Sequence, residues 1–308
     1  MALLTRDNTP PDTGGGKGRG KGTGKGSGGG RTRKAPRADR GPARLGLPTL
    51  LVLVAFVTVA PFAVMVLVAF APHSGKTLPG AFDITRATLA NFQEVLGSSD
   101  ILRWALNSTI YSVVSVVFIL LFASMAGYAF AKKRFPGREI MFWSFLATLM
   151  VPFQATLIPY YILISEMGGV DTYWGMIVPT LANSQAVFLM RQFIMQLPDE
   201  LFEAAKIDGA SEWRIYTTIV LPLIRPIMAT LGVFVFLWHW NDFLWPLVIA
   251  QSGDMHTLTV GLATLDGENV TINQVMAGAT ITVVPCLLVF GLLQRYLTDS
   301  IATTGLKS

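Results

Sequence analysis

Trp104-Ala-Leu-Asn-Ser-Thr-Ile-Tyr-Ser-Val-Val-Ser-Val-Val-Phe-Ile-Leu-Leu-Phe-Ala-Ser-Met-Ala-Gly-Tyr-Ala-Phe-Ala131 carries no charge between Arg103 and Lys132. A helix needs roughly 20 apolar residues to cross about 30 Å of hydrocarbon, and this run exceeds that length. In lipid every backbone N–H and C=O must be paired within the chain, so such a run forms a helix and not an isolated strand. Five more runs of the same kind lie on either side: Leu47–Ala71, Ile140–Ser165, Thr172–Met190, Pro226–Gln251 and Val270–Gln294. The expectation is an all-α membrane protein with six transmembrane helices. Pro61, Pro152, Pro159, Pro179, Pro246 and Pro285 fall inside these runs, which predicts kinked spans whose freed carbonyls are satisfied by neighbouring helices.

Composition agrees: 52% of the 308 residues are hydrophobic and 14% charged, against about 25% charged in soluble domains. Residues 1–46 form a separate population, with eleven Lys or Arg against three Asp or Glu, a balance of +8. The remainder has thirteen against sixteen, so the excess positive charge belongs to a tail and implies no nucleic-acid partner. Glycine dominates from Thr13 to Arg31, a composition expected to stay disordered. Gly15–Gly22 nearly spells a phosphate-cradling loop, but Gly22 stands where Ser or Thr is required and no strand precedes it. The domains expected are a basic tail over 1–46, a six-helix unit over 47–297 containing a connecting loop at 198–222, and a C-terminal tail over 298–308. Cys286 is the single cysteine, so no intrachain disulfide forms.

Loop charges orient the spans, because Lys and Arg are retained on the cytoplasmic side. Lys132, Lys133, Arg134 and Arg138 lie between the second and third runs, and Arg191, Lys206, Arg214 and Arg225 between the fourth and fifth. The connections after the third and fifth runs have none, and only the first outward loop holds any, at Lys76, Arg86 and Arg103. Both termini are therefore expected in the cytoplasm.

One cytoplasmic connection is more organised than a linker. Pro198 or Asp199 can start a helix with an apolar side at Leu201, Phe202, Ala204, Ala205 and Ile207; Asp208-Gly209 breaks it; and Ser211 can cap a second segment through Trp213, Ile215, Tyr216 and Ile219. A short helix, a glycine corner and a second helix suit docking into a partner's groove.

Glu203-Ala204-Ala205, Gly209 and Ile219-Val-Leu-Pro222 resemble the signature of the permease subunits of binding-protein-dependent ABC importers. Glu203 to Ala210 is similar to the carbohydrate branch, in particular the maltose-type inner-membrane subunit. Met150-Val-Pro-Phe-Gln154, Ile158-Pro159, Gly175 to Pro179, Phe188-Leu-Met-Arg191 and Trp240-Asn-Asp-Phe-Leu-Trp-Pro246 extend the resemblance from about Leu47 to the C-terminus. It implies a type I importer permease fold, with Glu203, Ala204, Ala205, Asp208, Gly209 and Ala210 in a coupling helix. It also implies a multi-pass protein of a prokaryotic cell membrane, partnered by a second six-span permease, a dimer of ATP-binding subunits and an extracytoplasmic binding protein that delivers a sugar. ATP and Mg would belong to the partner ATPase. This chain carries no catalytic pairing and no metal-ligand spacing, and it is expected to need no cofactor and to be no enzyme.

Polar groups at membrane depth either pair across helices or face a cavity. Asn107, Gln154, Asn183, Gln185, Trp240, Asn241 and Asp242 are the candidates for a solute path, with Trp238, His239 and Gln274 beside them. Amides and a carboxylate beside an aromatic face suit sugars. Trp174 and Trp245 read as anchors at the membrane interface. Other solutes, such as glycerol phosphate or a polyol, remain alternatives, as does a proton-coupled secondary transporter, although only Asp242 and His239 offer ionisable groups at depth.

Overall fold

The computed structural model describes residues 43–72, 87–98, 100–265 and 270–305; the glycine-rich stretch and residues 1–42 lie outside them. Among the described residues every regular element is a helix. In chain order these are α1 (Ala43–Phe70), α2 (Ala90–Ser98), α3 (Ile101–Lys132), α4 (Arg138–Ala147), α5 (Phe153–Glu166), α6 (Tyr173–Ile177), α7 (Ser184–Met195), α8 (Asp199–Ile207), α9 (Glu212–Ile215), α10 (Leu221–Leu223), α11 (Arg225–Trp240), α12 (Leu244–Ile249), α13 (Leu258–Ala263) and α14 (Ile272–Gly305). The chain divides into two units, Met1–Val54 and Ala55–Ser308. In the first, the described residues are the opening turns of α1. α14 continues to Gly305.

The six apolar runs divide by the continuity of their helices. α1, α3 and α14 are long and apolar enough to cross a membrane unbroken. The third run is α4 and α5, which meet at 102° where Val151 turns extended and Pro152 supplies no N–H. The fourth is α6, a 3-10 turn containing Pro179, and α7, and none of these pieces is long enough alone. The fifth is α11 and α12, interrupted at Asn241–Phe243. The α9–α10 segment meets α11 at 73°.

α3 is the helix around which the unit 55–308 packs. Its small residues Ser108, Ser112, Ser115, Ala123, Ser124 and Gly127 are buried, which lets α7 and α11 approach closely. At Gly127 an added Cβ would lie 2.7 Å from Met190 Cβ. At about 1.5 Å per residue α3 is roughly 48 Å long, enough to link two separate clusters. One joins Ile119, Tyr128, Met190, Ile194, Phe202, Ile215 and Leu231; the other joins Ala69, Ile101, Trp104, Trp240 and Leu258. Large apolar side chains such as Phe56, Ile158 and Leu287 are exposed, a surface that only lipid or partner subunits can cover.

Candidate functional site

α8 runs over Asp199–Ile207, the residues expected from the Pro198 start and the Gly209 break. Asp199 and Glu200 lie in its first turn and Lys206 in its last, each sign complementing the helix dipole. Its end is a Schellman corner: the Gly209 N–H donates to Lys206 O at 3.0 Å and the Ala210 N–H to Ala205 O at 2.9 Å. Gly209 has φ +74, a left-handed conformation that glycine adopts without strain. Ser211 then caps α9, accepting from the Arg214 N–H, and a π-helix over Tyr216–Val220 follows.

Within this corner Phe202 and Ala205 are buried, while Leu201, Ala204, Ile207, Asp208, Gly209 and Trp213 are exposed and Ala210 is half-buried. Ile207 is 86% exposed. Apolar residues therefore occupy two faces of α8, one against the bundle and one outward, where a single apolar side was expected. Glu203 is exposed, and among the described residues no hydrogen bond or ion pair engages it. The outward face thus presents a free carboxylate beside exposed Ala204 and Ile207.

The last turns of α3 hold this loop, a role that the sequence had shown only as topology-setting charge. The Lys132 ammonium donates to Leu197 O at 2.6 Å and to the Asp199 carboxylate at 2.7 Å, and lies 5.0 Å from the Phe202 ring. Its side chain is 9% exposed, so unlike a surface pair worth less than about 1 kcal/mol it is a nearly buried cation, costly to leave unpartnered. Lys133 pairs with Glu212 and lies 4.7 Å from the Tyr128 ring, and the Tyr128 hydroxyl also donates to Glu212. The Lys132 hydrogen bond holds the Asp199 carboxyl below its ordinary value, and the Lys133 hydrogen bond does the same for Glu212. Nearby, Arg191 stacks 3.9 Å from the Phe142 ring and bonds Glu139.

The polar residues of the spans fall into two groups. Asn107 is fully engaged, donating to Asp254 O and His256 O and accepting from the Tyr173 hydroxyl at 2.6 Å. Asn183 caps α7. The Trp240 indole donates to Thr282 O, and the Asn241 amide to Leu237 O. Asp242 accepts from the Tyr111 hydroxyl at 2.8 Å, and buried His239 bonds Val235 O and the Thr180 hydroxyl. Gln154 and Gln185 are different: both are exposed near the starts of α5 and α7, and no hydrogen bond engages them among the described residues. A Thr148–Ser184 hydroxyl bond of 2.7 Å ties the turn before α5 to the start of α7. Trp245 corrects an expectation: it is 1% exposed, with its indole bonded to Met176 O, and so is a core residue and not an interface anchor.

The family described as binding-protein-dependent transport system inner membrane component matches residues 119–303. An arabinooligosaccharides transport system permease protein, AraQ of Halalkalibacterium halodurans, is 39% identical over 263 residues, covering 82% of this chain and 93% of its own. The lactose transport system permease protein LacG of Rhizobium radiobacter is 34% identical, covering 80% and 90%. The sn-glycerol-3-phosphate transport system permease protein UgpE of Pectobacterium atrosepticum is 39% identical over 62% of this chain and 69% of its own. Among solved structures, a bacterial ABC transporter involved in the import of the acidic polysaccharide alginate superposes with TM-score 0.76 over 85% of this chain and 99% of its own, at 22% identity. At that identity the likeness is one of fold.

Proposed function

The chain belongs to the binding-protein-dependent transport system inner membrane component family, and from that premise we propose that it is the permease subunit through which an ATP-driven importer moves an uncharged sugar. The observation that carries the reading is the outward face of α8, where Glu203, Ala204 and Ile207 stand exposed above the Gly209 corner. A membrane subunit that hydrolyses nothing itself needs a fixed, partly apolar knob for an ATPase groove, and this corner provides one. On this reading the loop is cytoplasmic, the chain pairs with a second permease and a dimer of ATP-binding subunits, and a binding protein delivers solute from outside. The cytoplasmic placing of the loop agrees with the sorting of basic residues between loops.

Sugar is favoured over an anion because all six apolar runs lack Lys and Arg, and a phosphate crossing the bilayer would call for such partners. The arabinooligosaccharide and lactose relatives point the same way. Gln154 and Gln185, exposed and without bonds in this chain, are the best placed of the candidates to meet a sugar hydroxyl. Asn107, Trp240 and Asp242 are engaged by other helices and loops, while Asn183 and Asn241 bond the backbone of their own helices. Proton coupling is disfavoured because Asp242 and His239 are both committed to internal bonds.

The test is uptake of labelled oligosaccharides in the native host, with and without this gene. The expected result is uptake that depends on ATP, survives a proton uncoupler and is competed by uncharged sugars. Competition by glycerol 3-phosphate alone would replace the substrate class, and uptake abolished by the uncoupler with ATP intact would overturn the importer reading.

A further inference from the structure

Three residues on one face of α3, spaced four apart, grip the loop. Ser124 bonds the Tyr216 hydroxyl at 2.7 Å. Tyr128 stacks on Phe202 at 6.1 Å between ring centroids, lies 6.0 Å from the Tyr216 ring and donates to Glu212. Lys132 takes Leu197 O and Asp199, the first residue of α8. Lys133 adds Glu212, the first residue of α9. Both arms of the corner are therefore pinned at their starts to the same helix.

The opposite end of α3 is pinned as firmly elsewhere. The Trp104 indole donates to Gly253 O at 2.8 Å, Asn107 to Asp254 O and His256 O, and the Leu258 N–H to the Ser108 hydroxyl at 2.8 Å. Between the two ends Tyr111 holds Asp242, at the break of the fifth run. Along the chain, α11 follows the loop through the π-helix and a 73° bend.

We propose that Lys132 and Lys133 are positioning residues that make α3 and the α8–α9 corner one rigid body, so that force applied to the corner reaches Asp242 and the 253–258 segment along α3. The transport half of this inference rests on the importer reading; the mechanical half belongs to the chain alone. Lys133→Glu and Glu212→Lys each place like charges together, and the double swap restores the pair with its sign reversed.

In the purified chain, hydrogen exchange over 199–215 should speed up by about tenfold in each single variant and return towards wild type in the swap, the size of an ordinary pairwise coupling. In the assembled transporter, uptake per inserted permease should fall by about tenfold in the singles and recover in the swap. ATPase subunits should still co-purify, because the grip lies behind the docking face; hydrolysis that continues without uptake is the signature that a loss of folding would not produce. Should a reversal be degraded, Glu212→Gln keeps the shape and removes the charge. Unchanged exchange in the singles, or singles and swap that are equally impaired, overturns the latch. Normal exchange effects together with no ATPase captured by the wild-type chain would instead sink the importer reading and leave a latch without a motor, confining the inference to the coupling of α3 with the corner.

Discussion

Two glycines separate two kinds of cost. At Gly209 no atom lies within 4 Å of where a Cβ would stand, so substitution is penalised by backbone conformation alone, at φ +74. That costs about 1–2 kcal/mol for an ordinary residue and less for Asn, which visits the left-handed region. Gly209→Val should therefore leave the permease inserted, with a thermal midpoint lowered by no more than a few degrees, yet abolish uptake by tilting α8; Gly209→Asn should retain most uptake. Equal uptake by the two variants would remove the corner from the mechanism. At Gly127 the obstacle is packing: Met190 Cβ would be 2.7 Å away and Arg191 N 3.0 Å. Gly127→Val should separate α3 from α7 at a cost of about 1–3 kcal/mol, seen as a lower thermal midpoint in detergent. A midpoint unchanged by Gly127→Val would mean that the two helices do not approach as closely as described.

At the scale of elements, the α8–α9 corner is held by charge and so has a pH signature. Asp199 faces Lys132, with Arg134 further off, and Glu212 faces Lys133, Tyr128 and Lys206. Both carboxylates sit below their ordinary values, so their contribution is complete above the unfolded values of about 4 and is lost as pH falls through the depressed folded ones. Hydrogen exchange at the corner, corrected for its intrinsic pH dependence, should be flat from about pH 5 to 8 and rise only below about 4. A transition near pH 6.5 would assign the control to histidine. The bounds of α8 were legible because Pro198, Asp199 and Gly209 are local signals. The grip was not, since Lys132 meets Leu197 and Asp199 across 65 and 67 residues, and nothing local marks a topology-setting lysine as a clamp. The same distance hid the roles of the buried amides: Asn107 finds its acceptors 147 and 149 residues away, so a polar residue in an apolar run reads alike whether it faces a solute or a helix. Pro152 and Pro179 marked the breaks of the third and fourth runs, but the fifth run breaks at Asn241–Phe243, ahead of Pro246. Pro61 and Pro285 lie within helices that continue unbroken, and the 102° turn before α5 depends on packing that no run of residues encodes.

For the whole molecule the open question is which end faces the cytoplasm, and α3 reduces it to a single measurement. One end of this helix meets the 253–258 segment and the other meets Leu197 and Glu212, and α3 is long and apolar enough to cross a bilayer. Gly253 and Ser211 should therefore lie on opposite sides. The loop with Ser211 carries Arg191, Lys206, Arg214 and Arg225, whereas residues 252–269 carry no Lys or Arg, so retention of positive charge predicts Ser211 in the cytoplasm and Gly253 outside. Both positions are exposed, and a Cβ at Gly253 meets nothing within 4 Å, so cysteine is tolerated there without disturbing the carbonyl that Trp104 uses. Replacing the native thiol by Cys286→Ala leaves each introduced cysteine as the sole target. In intact cells a membrane-impermeant maleimide should label Gly253→Cys at once and Ser211→Cys only after permeabilisation. The reverse pattern would invert the topology and put the α8 corner out of reach of any ATP-driven partner, and labelling of both in intact cells would mean that α3 does not span the membrane.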